Sequence, residues 1–415
     1  MTETSATTAW WPSPADRARL RTVCVTGTNG KTTTTSMIAS IVGAAGEIAA
    51  RVTTVGAWVG DVATGSGPGW EPFRATVAAA LDAGTRTFAL EVTSKALAAG
   101  FAERWPPDVA VFTNLTRDHL DRHGTPEHYL ASKARLFLAL PPTGVAVLNA
   151  ADEASALLDE VIDGRVRRSA YATRPVAAAT AGLPIELAAR EVVVSREGTR
   201  VVLVPSRLAD ALGGELRLSV LSAVHADNAL AAALAADAVG YTGEAIRRGL
   251  ESFGGVEGRF EVVSRQPLVV VDYAHTPDAL EGTLRSARAI AGTAGGRVIC
   301  VFGCGGDRDR GKRPMMGRIA GTMADLVVLT SDNPRSEDPE RILDEIAGGA
   351  GGAASWSREP DRAAAIDVAI GSAREQDVVV IAGKGHEQAQ QVGATTRLFS
   401  DVEVARGAVA RRRGD

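Results

Sequence analysis

Cysteines and long apolar runs are both scarce in this chain of 415 residues. Its three cysteines, Cys24, Cys300 and Cys304, are too few for a disulfide framework or a four-cysteine zinc site. No apolar stretch is long enough to span a bilayer, and the N-terminus lacks the charged segment and apolar run of a secretory signal. We therefore expect a protein of the reducing cytoplasm without a membrane partner.

An excess of basic residues is also missing. The 45 Lys and Arg residues against 49 Asp and Glu residues give a net charge of −4, which argues against a nucleic-acid-binding surface. Aromatic residues make up only 5% of the chain and hydrophobic residues 45%, which is typical of a globular core rich in Ala, Val and Leu. The length is sufficient for two or three domains.

Apolar strand segments alternate with helical segments along most of the chain, which predicts an α/β protein. We interpret residues 1–20 as a polar lead-in segment, 21–258 as a first domain and 259–415 as a second. The boundary falls in the glycine-rich stretch 254–260. The apolar strands of the second domain predict a parallel sheet covered on both faces. The less regular stretch 152–222 predicts a small β-rich subregion.

Residues 21–40 read as a buried strand, a glycine turn and a helix that begins near Thr32. In a phosphate-binding loop of this kind, backbone N–H groups face the phosphates, Lys31 neutralises them and the Thr32 hydroxyl reaches Mg²⁺. Because only three residues separate Gly27 from Lys31, the common G-x4-G-K-[ST] spacing is not met. The alternative is a turn that carries Lys and Thr by coincidence. The flanking strand and helix favour an ATP-dependent enzyme.

Polar residues cluster where predicted strands end. Glu91 lies near the end of the strand at 87–92, where a Mg²⁺ ligand is expected in such a domain; the alternative is a surface glutamate. The stretch 118–123 holds two Asp and two His residues after the next strand, and it predicts a metal or phosphate site or a solvated polar loop. In the second domain, four polar sets follow strands: 272–277, 305–309, 332–335 and 383–387.

Taken together, these segments resemble the signature segments of the Mur ligase family. They occur in the family's order across nearly the whole chain, and they are most similar to the branch that adds diaminopimelate to a UDP-N-acetylmuramoyl dipeptide. The matching segments are 26–32, 91–94, 114–121, 131–133, 225–228, 258–259, 272–277, 303–314, 332–335 and 383–387.

The resemblance implies a P-loop Mur-ligase central ATPase domain followed by a Rossmann-like C-terminal Mur ligase domain. It also implies an ADP-forming ligase that activates an acceptor carboxylate as an acyl phosphate, which the amine of an amino acid then attacks. The implied cofactors are ATP, Mg²⁺ and a CO₂-derived carbamate on Lys133. The implied partners are two small molecules, the acceptor acid and an amino acid such as diaminopimelate.

The resemblance also assigns roles to individual residues. Those implied in catalysis are Lys31, Glu91, His119 and Lys133. Those implied in ATP binding are Thr28, Asn29, Gly30, Lys31, Thr32, Thr33, Asn228, Arg259 and Asp272. Thr32 is expected to hold one Mg²⁺, and Glu91 and His119 a second, supported by carbamylated Lys133. Those implied in amino-acid binding are Arg308, Asp332, Asn333, Arg335, Gly383 and Glu387, with Arg335 on a distal carboxylate.

The acceptor side departs from the family pattern. The family carries an N-terminal domain that binds UDP, whereas here the phosphate loop follows a short lead-in, so we expect that domain to be missing. The family's Thr-Thr-Pro segment is replaced near 64–68 by TGSGP, and Glu-Val-Ser-Ser-His becomes EVTSK at 91–95. We therefore predict a non-standard acceptor, such as a small or carrier-bound acid, beside Thr93, Ser94 and Lys95.

Three other interpretations stay open. The first is stem-peptide ligation on a UDP-N-acetylmuramoyl dipeptide, with the UDP domain missing or supplied by a partner chain. The second is a polyglutamate-type ligase, against which the Asp-Asn-Pro-Arg set at 332–335 argues. The third is an inactive nucleotide-binding scaffold, which would require the loss of residues such as Lys31 or Glu91 that are present.

Overall fold

Two large sheets organise the chain. The structure is a computed structural model that describes residues 12–67, 69–117 and 125–414. Among these residues, the first sheet has the strand order β11-β10-β9-β8-β7-β6-β1-β5-β2-β3-β4. Its strands are β1 Arg21–Thr26, β2 Ala50–Val52, β3 Ala57–Val59, β4 Val62–Gly65, β5 Thr87–Glu91, β6 Val109–Phe112, β7 Val145–Asn149, β8 Arg167–Ala172, β9 Ile185–Val194, β10 Thr199–Leu203 and β11 Glu215–Leu218.

The middle of the first sheet is parallel and buried. β1 pairs in parallel with β5 and β6, and parallel pairing continues through β7 to β8. Every residue of β6 and β7 is buried, because helices cover both faces, and this explains their unbroken apolar sequence. The carboxyl ends of β1, β5 and β6 therefore meet at one edge, where a ligand is expected.

The outer strands of this sheet come from two stretches of the chain. The small β-rich subregion expected at 152–222 is confirmed, and its strands β8, β9, β10 and β11 extend the main sheet. On the other side of the sheet, β2 pairs antiparallel with β3, and β3 pairs antiparallel with β4. Period-two alternation predicted strands correctly here but not their partners.

Helices cover this sheet, and small side chains allow some of these helices to pack closely against each other. The Ala-rich helix α9 is buried over most of its length and packs on α2, which begins at the phosphate loop. The helices of this half are α1 Pro14–Arg17, α2 Lys31–Ala44, α3 Trp70–Asp82, α4 Ser94–Ala98, α5 Phe101–Arg104, α6 Pro126–Leu138, α7 Ala154–Val161, α8 Arg207–Ala211, α9 Ala223–Ala238 and α10 Gly243–Glu251.

The second sheet has the order β12-β13-β17-β14-β15-β16. The predicted parallel, doubly covered sheet is confirmed from β13 to β16, whereas the edge strand β12 is antiparallel. Its strands are β12 Glu261–Arg265, β13 Leu268–Asp272, β14 Val298–Phe302, β15 Leu326–Leu329, β16 Ser355–Arg358 and β17 Val378–Ala382. Its helices are α11 Pro277–Thr293, α12 Lys312–Met323, α13 Pro339–Ala347, α14 Arg362–Ser372 and α15 Asp401–Arg413.

Two elements of the second half were not predicted. A hairpin follows the last strand of the sheet, with strands β18 Ala389–Val392 and β19 Thr395–Leu398. The last helix, α15, also ends in the basic run Arg411–Arg413, and Arg411 there pairs with Asp367. Positive charge in that turn also complements the helix dipole.

The stretch 254–260 lies between the strands of the two sheets. A Cβ at Gly258 would overlap the backbone N of His386, so this stretch contacts the loop that follows β17. The predicted boundary after residue 258 stays a prediction. No helix in the described ranges is both long and apolar enough to cross a membrane.

Replacing Gly249 by Ala should destabilise the protein. Gly249 lies in α10 where this helix packs on α2, and a Cβ there would overlap the backbone of Ile41. Because backbone cannot move aside as a flexible side chain can, we expect the free energy of unfolding to fall by about 2 kcal/mol despite the higher helix propensity of Ala. Urea unfolding followed by circular dichroism measures this change.

Gly371 in α14 provides a matched control, since no atom lies within 4 Å of a Cβ built there. Gly371→Ala should raise the free energy of unfolding by roughly 0.5 kcal/mol through helix propensity alone. Equal effects of the two substitutions would contradict the close packing of α10 on α2.

Candidate active site

The phosphate loop lies between the carboxyl end of β1 and the N-terminus of α2. Gly30 precedes the helix in a left-handed conformation (φ 86°), and no side chain caps the helix. The first N–H groups of α2 therefore face the loop, which favours an anion such as a phosphate group. The Lys31 ammonium donates to the carbonyl oxygens of Gly27 (3.1 Å) and Thr28 (2.7 Å), so it lies within the same turn.

Neighbouring elements hold this loop in close contact. A Cβ at Gly27 would overlap Thr113 Oγ1, and one at Gly30 would overlap Asn228 Oδ1, so both positions require glycine. The backbone N–H of Asn29 donates to Asn114 Oδ1 at 2.9 Å. The predicted ATP-binding residues of the loop thus lie together, with Asn228 directly beside Gly30. Whether Asn228 contacts adenine stays a prediction.

Oxygen atoms surround the predicted metal position at the end of β5. Glu91 Oε2 accepts hydrogen bonds from Thr32 Oγ1 (2.8 Å), the Thr54 backbone N–H (2.9 Å) and Thr54 Oγ1 (3.1 Å). A carboxylate and hydroxyl groups are the donor set that Mg²⁺ prefers, so these residues fit the predicted ion. His119 lies outside the described residues. The described ranges hold no cluster of three or more His, Cys, Asp or Glu side chains suited to a metal.

Lys133 is buried at the phosphate loop. Its ammonium projects from α6, donates to the Gly27 carbonyl oxygen at 2.7 Å and lies 4.1 Å from the centre of the Tyr129 ring. A buried lysine at a phosphate loop differs from the solvated helix lysine that composition alone would suggest. The structure thereby places Lys133 beside the loop, whereas its carbamylation stays a prediction.

A cavity of about 1630 Å³ brings most of the predicted residues together. Its walls include the predicted ATP-side and metal-side residues and also Thr93, Ser94 and Lys95 of the predicted acceptor side. Thr93 accepts from the Ala96 N–H as the N-cap of α4, so it has a structural role as well. Near the replaced Thr-Thr-Pro segment, Thr64 belongs to β4 and Pro68 lies outside the described residues.

The second half of the chain closes one side of this cavity. Arg259 Nη2 donates to Thr32 Oγ1 at 3.3 Å, and the guanidinium stacks 4.4 Å from the centre of the Tyr273 ring. Asp272 accepts from the Phe260 N–H at 2.6 Å and from Thr283 Oγ1 at 3.1 Å. Burial raises the pKa of Asp272, while the Arg259 charge opposes that rise. The role of Asp272 in ATP binding stays a prediction.

The predicted amino-acid-binding residues form a separate cluster at the carboxyl ends of β15 and β17, outside the cavity walls. Asn333 Nδ2 donates to Glu387 Oε2 at 2.8 Å, and Arg335 Nη1 donates to the Gly306 carbonyl at 2.8 Å. Arg335 adopts a left-handed conformation (φ 52°). Arg308 is exposed on the loop after β14. Gly383 approaches closely enough that a Cβ would lie 2.7 Å from Asp332 Oδ2.

Known proteins match both halves of the chain. The Mur ligase middle domain matches residues 25–236, and the Mur ligase glutamate ligase domain matches residues 258–385. A curated relative from Ralstonia nicotianae, UDP-N-acetylmuramoyl-L-alanyl-D-glutamate–2,6-diaminopimelate ligase, is 43% identical over 412 residues. The chain belongs to the Mur ligase family. This match covers 97% of the chain and 78% of the Ralstonia protein.

Further Mur ligases support this assignment. A relative of the same name from Synechococcus elongatus is 41% identical and covers 97% of this chain and 79% of its own. A solved structure of that ligase is 32% identical, with a TM-score of 0.65 over 97% of this chain and 84% of that chain. The folylpolyglutamate synthase of Mycobacterium tuberculosis shares the fold at 19% identity, with a TM-score of 0.67.

Family membership confirms the predicted α/β Mur ligase fold and the predicted class of enzyme. The chain is an ATP-dependent, ADP-forming acid–amino-acid ligase, and Mur ligases use ATP and Mg²⁺. The names of the relatives favour the stem-peptide interpretation over the predicted non-standard acceptor. The predicted absence of a UDP-binding domain is not confirmed.

Sequence reasoning missed two residues that line this Mur ligase cavity. Thr54 contacts Glu91 only because the sheet places β2 beside β5. His386 packs its ring 5.1 Å from that of Tyr273, and its Nδ1 is buried without a hydrogen-bond partner in the described part of the chain. Burial lowers the pKa of His386 to about 4. Its position next to Glu387 in the 383–387 set was the signal that could have identified it.

Replacing His225 should reduce the loss of folding stability that accompanies acidification. Burial lowers the pKa of His225 from 6.5 to about 4, so below pH 6.5 the unfolded chain binds a proton that the folded chain does not. Stability therefore falls as the pH falls through this window, by about 2 kcal/mol between pH 7 and pH 5. His225→Gln should abolish this contribution to the pH dependence of the free energy of unfolding, as measured by urea unfolding at both pH values.

Exposed His128 gives the control, because His128→Gln should leave the acid fall in stability as steep as in the wild type. A His225→Gln variant whose stability falls just as steeply would contradict the buried, neutral state of His225.

Proposed function

We propose that this Mur ligase joins 2,6-diaminopimelate to UDP-N-acetylmuramoyl-L-alanyl-D-glutamate with consumption of ATP. The observation that carries the proposal is the agreement of relatives 38–43% identical over 94–98% of the chain, all with that printed activity. The phosphate loop, the oxygen-lined position at Glu91 and the amino-acid cluster supply the groups that this reaction needs. The scarce cysteines favour the cytoplasm as its location.

The phosphate side of the reaction rests on Lys31 and α2. The N-terminus of α2 and the Lys31 ammonium hold the β- and γ-phosphates of ATP while the acceptor carboxylate attacks the γ-phosphorus, which gives an acyl phosphate and ADP. Thr32 would hold one Mg²⁺, and Glu91 and His119 a second; when bound, these ions would offset the repulsion between the anionic acceptor and the triphosphate. A carbamate on Lys133 would supply a further negative oxygen to support the second ion.

The donor side of the reaction rests on the cluster after β15 and β17. Arg335 binds the distal carboxylate of diaminopimelate through the guanidinium N–H groups that remain after Nη1 donates to Gly306. Glu387 accepts a hydrogen bond from the distal ammonium group, with Asp332 and Asn333 beside it. Arg308 is exposed on the adjacent loop and assists in binding the carboxylate.

A second candidate function is favoured by one observation on the acceptor side. Lys95 is exposed at the wall of the cavity, and it replaces the histidine of the family's Glu-Val-Ser-Ser-His segment. A lysine ammonium there can pair with the charge of a small carboxylic acid. In this alternative, the acceptor is a small or carrier-bound acid, and a partner protein can contribute to its recognition.

The identity of the acceptor can be measured through phosphate release from Mg-ATP and mass spectrometry of the product. We expect product when diaminopimelate is offered with the UDP-N-acetylmuramoyl dipeptide. Product only with acids from a panel of small carboxylates would refute this acceptor and support the second candidate.

If the acceptor is a small acid, Lys95→Gln should raise the KM for the acid about tenfold, because it removes one charged contact, with the KM for ATP unchanged.

Lys31→Ala and Lys133→Ala should each lower turnover by about a thousandfold or more, because each removes a charged group from the phosphate loop. Initial rates of ADP formation measure the effect. Ser132→Ala is the control, since Ser132 neighbours Lys133 in α6 but lies outside the cavity walls, and its hydroxyl donates to the His128 carbonyl oxygen of the same helix. Wild-type rates in both lysine variants would contradict the mechanism. A wild-type protein without activity would favour the interpretation as an inactive nucleotide-binding scaffold.

A further inference from the structure

Lys384 is a buried ammonium group at the amino-acid cluster. It follows β17 between Gly383 (φ 118°) and Gly385 (φ 52°), and its side chain is fully enclosed. Burying an unpaired ammonium is costly, so a lysine is retained in such a place only when acceptors surround it. The proposed reaction assigns no role to Lys384, since its enclosure keeps it from touching a substrate directly.

Three acceptors satisfy this ammonium group. Lys384 Nζ donates to Glu387 Oε2 at 2.9 Å, to the Ala389 carbonyl oxygen at 2.7 Å and to Asn333 Oδ1 at 3.3 Å. An ammonium group has three N–H donors, so these three bonds use its full capacity. Two of the acceptors, Glu387 and Asn333, are side chains of the amino-acid cluster, and the third begins the hairpin strand β18.

The bonds from Lys384 fix the orientation of the Asn333 amide. Asn333 Oδ1 accepts from Lys384 and from the backbone N–H of Gln391 (3.0 Å), so its Nδ2 must point the other way. There it donates to Glu387 Oε2 at 2.8 Å. A flipped amide would place an N–H group against the Lys384 ammonium, which excludes that alternative.

The same bonds fix the direction of Glu387. Its Oε2 accepts from both Lys384 and Asn333, and it pairs with the ammonium as a salt bridge in which the lysine is fully enclosed and the glutamate one-third exposed (0% and 34%). No described residue donates to the other oxygen, Oε1, which is therefore left for a ligand.

We infer that Lys384 is a positioning residue of the amino-donor site. It acts through Glu387 and Asn333, holding the carboxylate directed so that Oε1 receives the ammonium group at the far end of the donor. Its third bond, to the Ala389 carbonyl oxygen, fixes the start of β18. In the same strand, the Gln391 carbonyl oxygen accepts from the Arg335 backbone N–H at 3.1 Å. One enclosed charge thus orders both the carboxylate and the segment that carries Arg335. This inference rests on the proposed function.

The decisive variant is Lys384→Met, which keeps the length of the side chain and removes the charge. We expect the KM for the amino donor to rise about tenfold or more, since a charge-assisted contact is lost, while the KM for ATP stays within about twofold of wild type. Initial rates at saturating ATP and acceptor measure both constants. Unchanged donor KM in a folded Lys384→Met protein would overturn the inference.

Asp377→Asn is the matched control for loss of a buried charge. Asp377 is fully enclosed immediately before β17, at the opposite end of the same strand, and pairs with Arg297 at 2.7 Å. This variant should lower the melting temperature but leave the donor KM within about twofold of wild type. A rise in donor KM equal to that of Lys384→Met would mean that any destabilisation of this strand disturbs the site, and it would overturn the specific role.

A double-mutant cycle separates positioning from general stability. If Lys384 acts through Glu387, then Lys384→Met added to Glu387→Gln should raise the donor KM no more than Glu387→Gln alone. Full additivity of the two effects would refute the inference. The double variant also removes both charges of the buried pair, so it provides a folded protein if Lys384→Met alone leaves Glu387 unpaired and fails to fold.

Failure of this inference is distinguishable from failure of the proposed function. A wild-type protein that makes no product from diaminopimelate and the UDP-N-acetylmuramoyl dipeptide refutes the proposed function. The ratio of donor KM between Lys384→Met and wild type tests Lys384, and it is measured with whichever amino donor and acceptor the wild type uses.

Discussion

Steric fit at two glycines is the constraint on which the site depends. The turn before α2 passes so close to Thr113 and Asn228 that no side chain can stand at Gly27 or Gly30. That closeness brings the ends of β1 and β6 and the helix α9 to within contact of the same four-residue turn. The N–H groups that are predicted to bind phosphate are therefore fixed by packing without a nucleotide, and the entropic cost of ordering them is met during folding.

The cavity also depends on the second sheet, because one half of the chain does not enclose it. Arg259 reaches Thr32 across the seam, and Gly258 contacts the backbone of His386. The exposed pair between Arg117 and Asp309 adds a weaker contact between the two halves. The phosphate loop and the predicted amino-donor residues therefore lie on different sheets, and the residues at this seam lie between them.

Sequence reasoning succeeded where a residue's role depends on its immediate neighbours. The phosphate loop and the strand before Asp272 could be predicted because buried parallel strands are apolar throughout and their polar successors are conspicuous. It failed where a role depends on sheet order. Thr54 meets Glu91 only through the pairing of β2 with β5, and Lys384 looks like a loop lysine between two glycines until the hairpin that encloses it is seen.

The separation between the cavity and the amino-acid cluster has a consequence for how such ligases diverge. Lys95 and its neighbours lie on α4 of the first half, whereas Arg335, Asn333 and Glu387 lie on the second sheet and share no wall with them. A change around Lys95 can therefore alter that wall of the cavity without moving the predicted amino-donor residues. Divergence among such ligases can thus affect these two groups of residues separately.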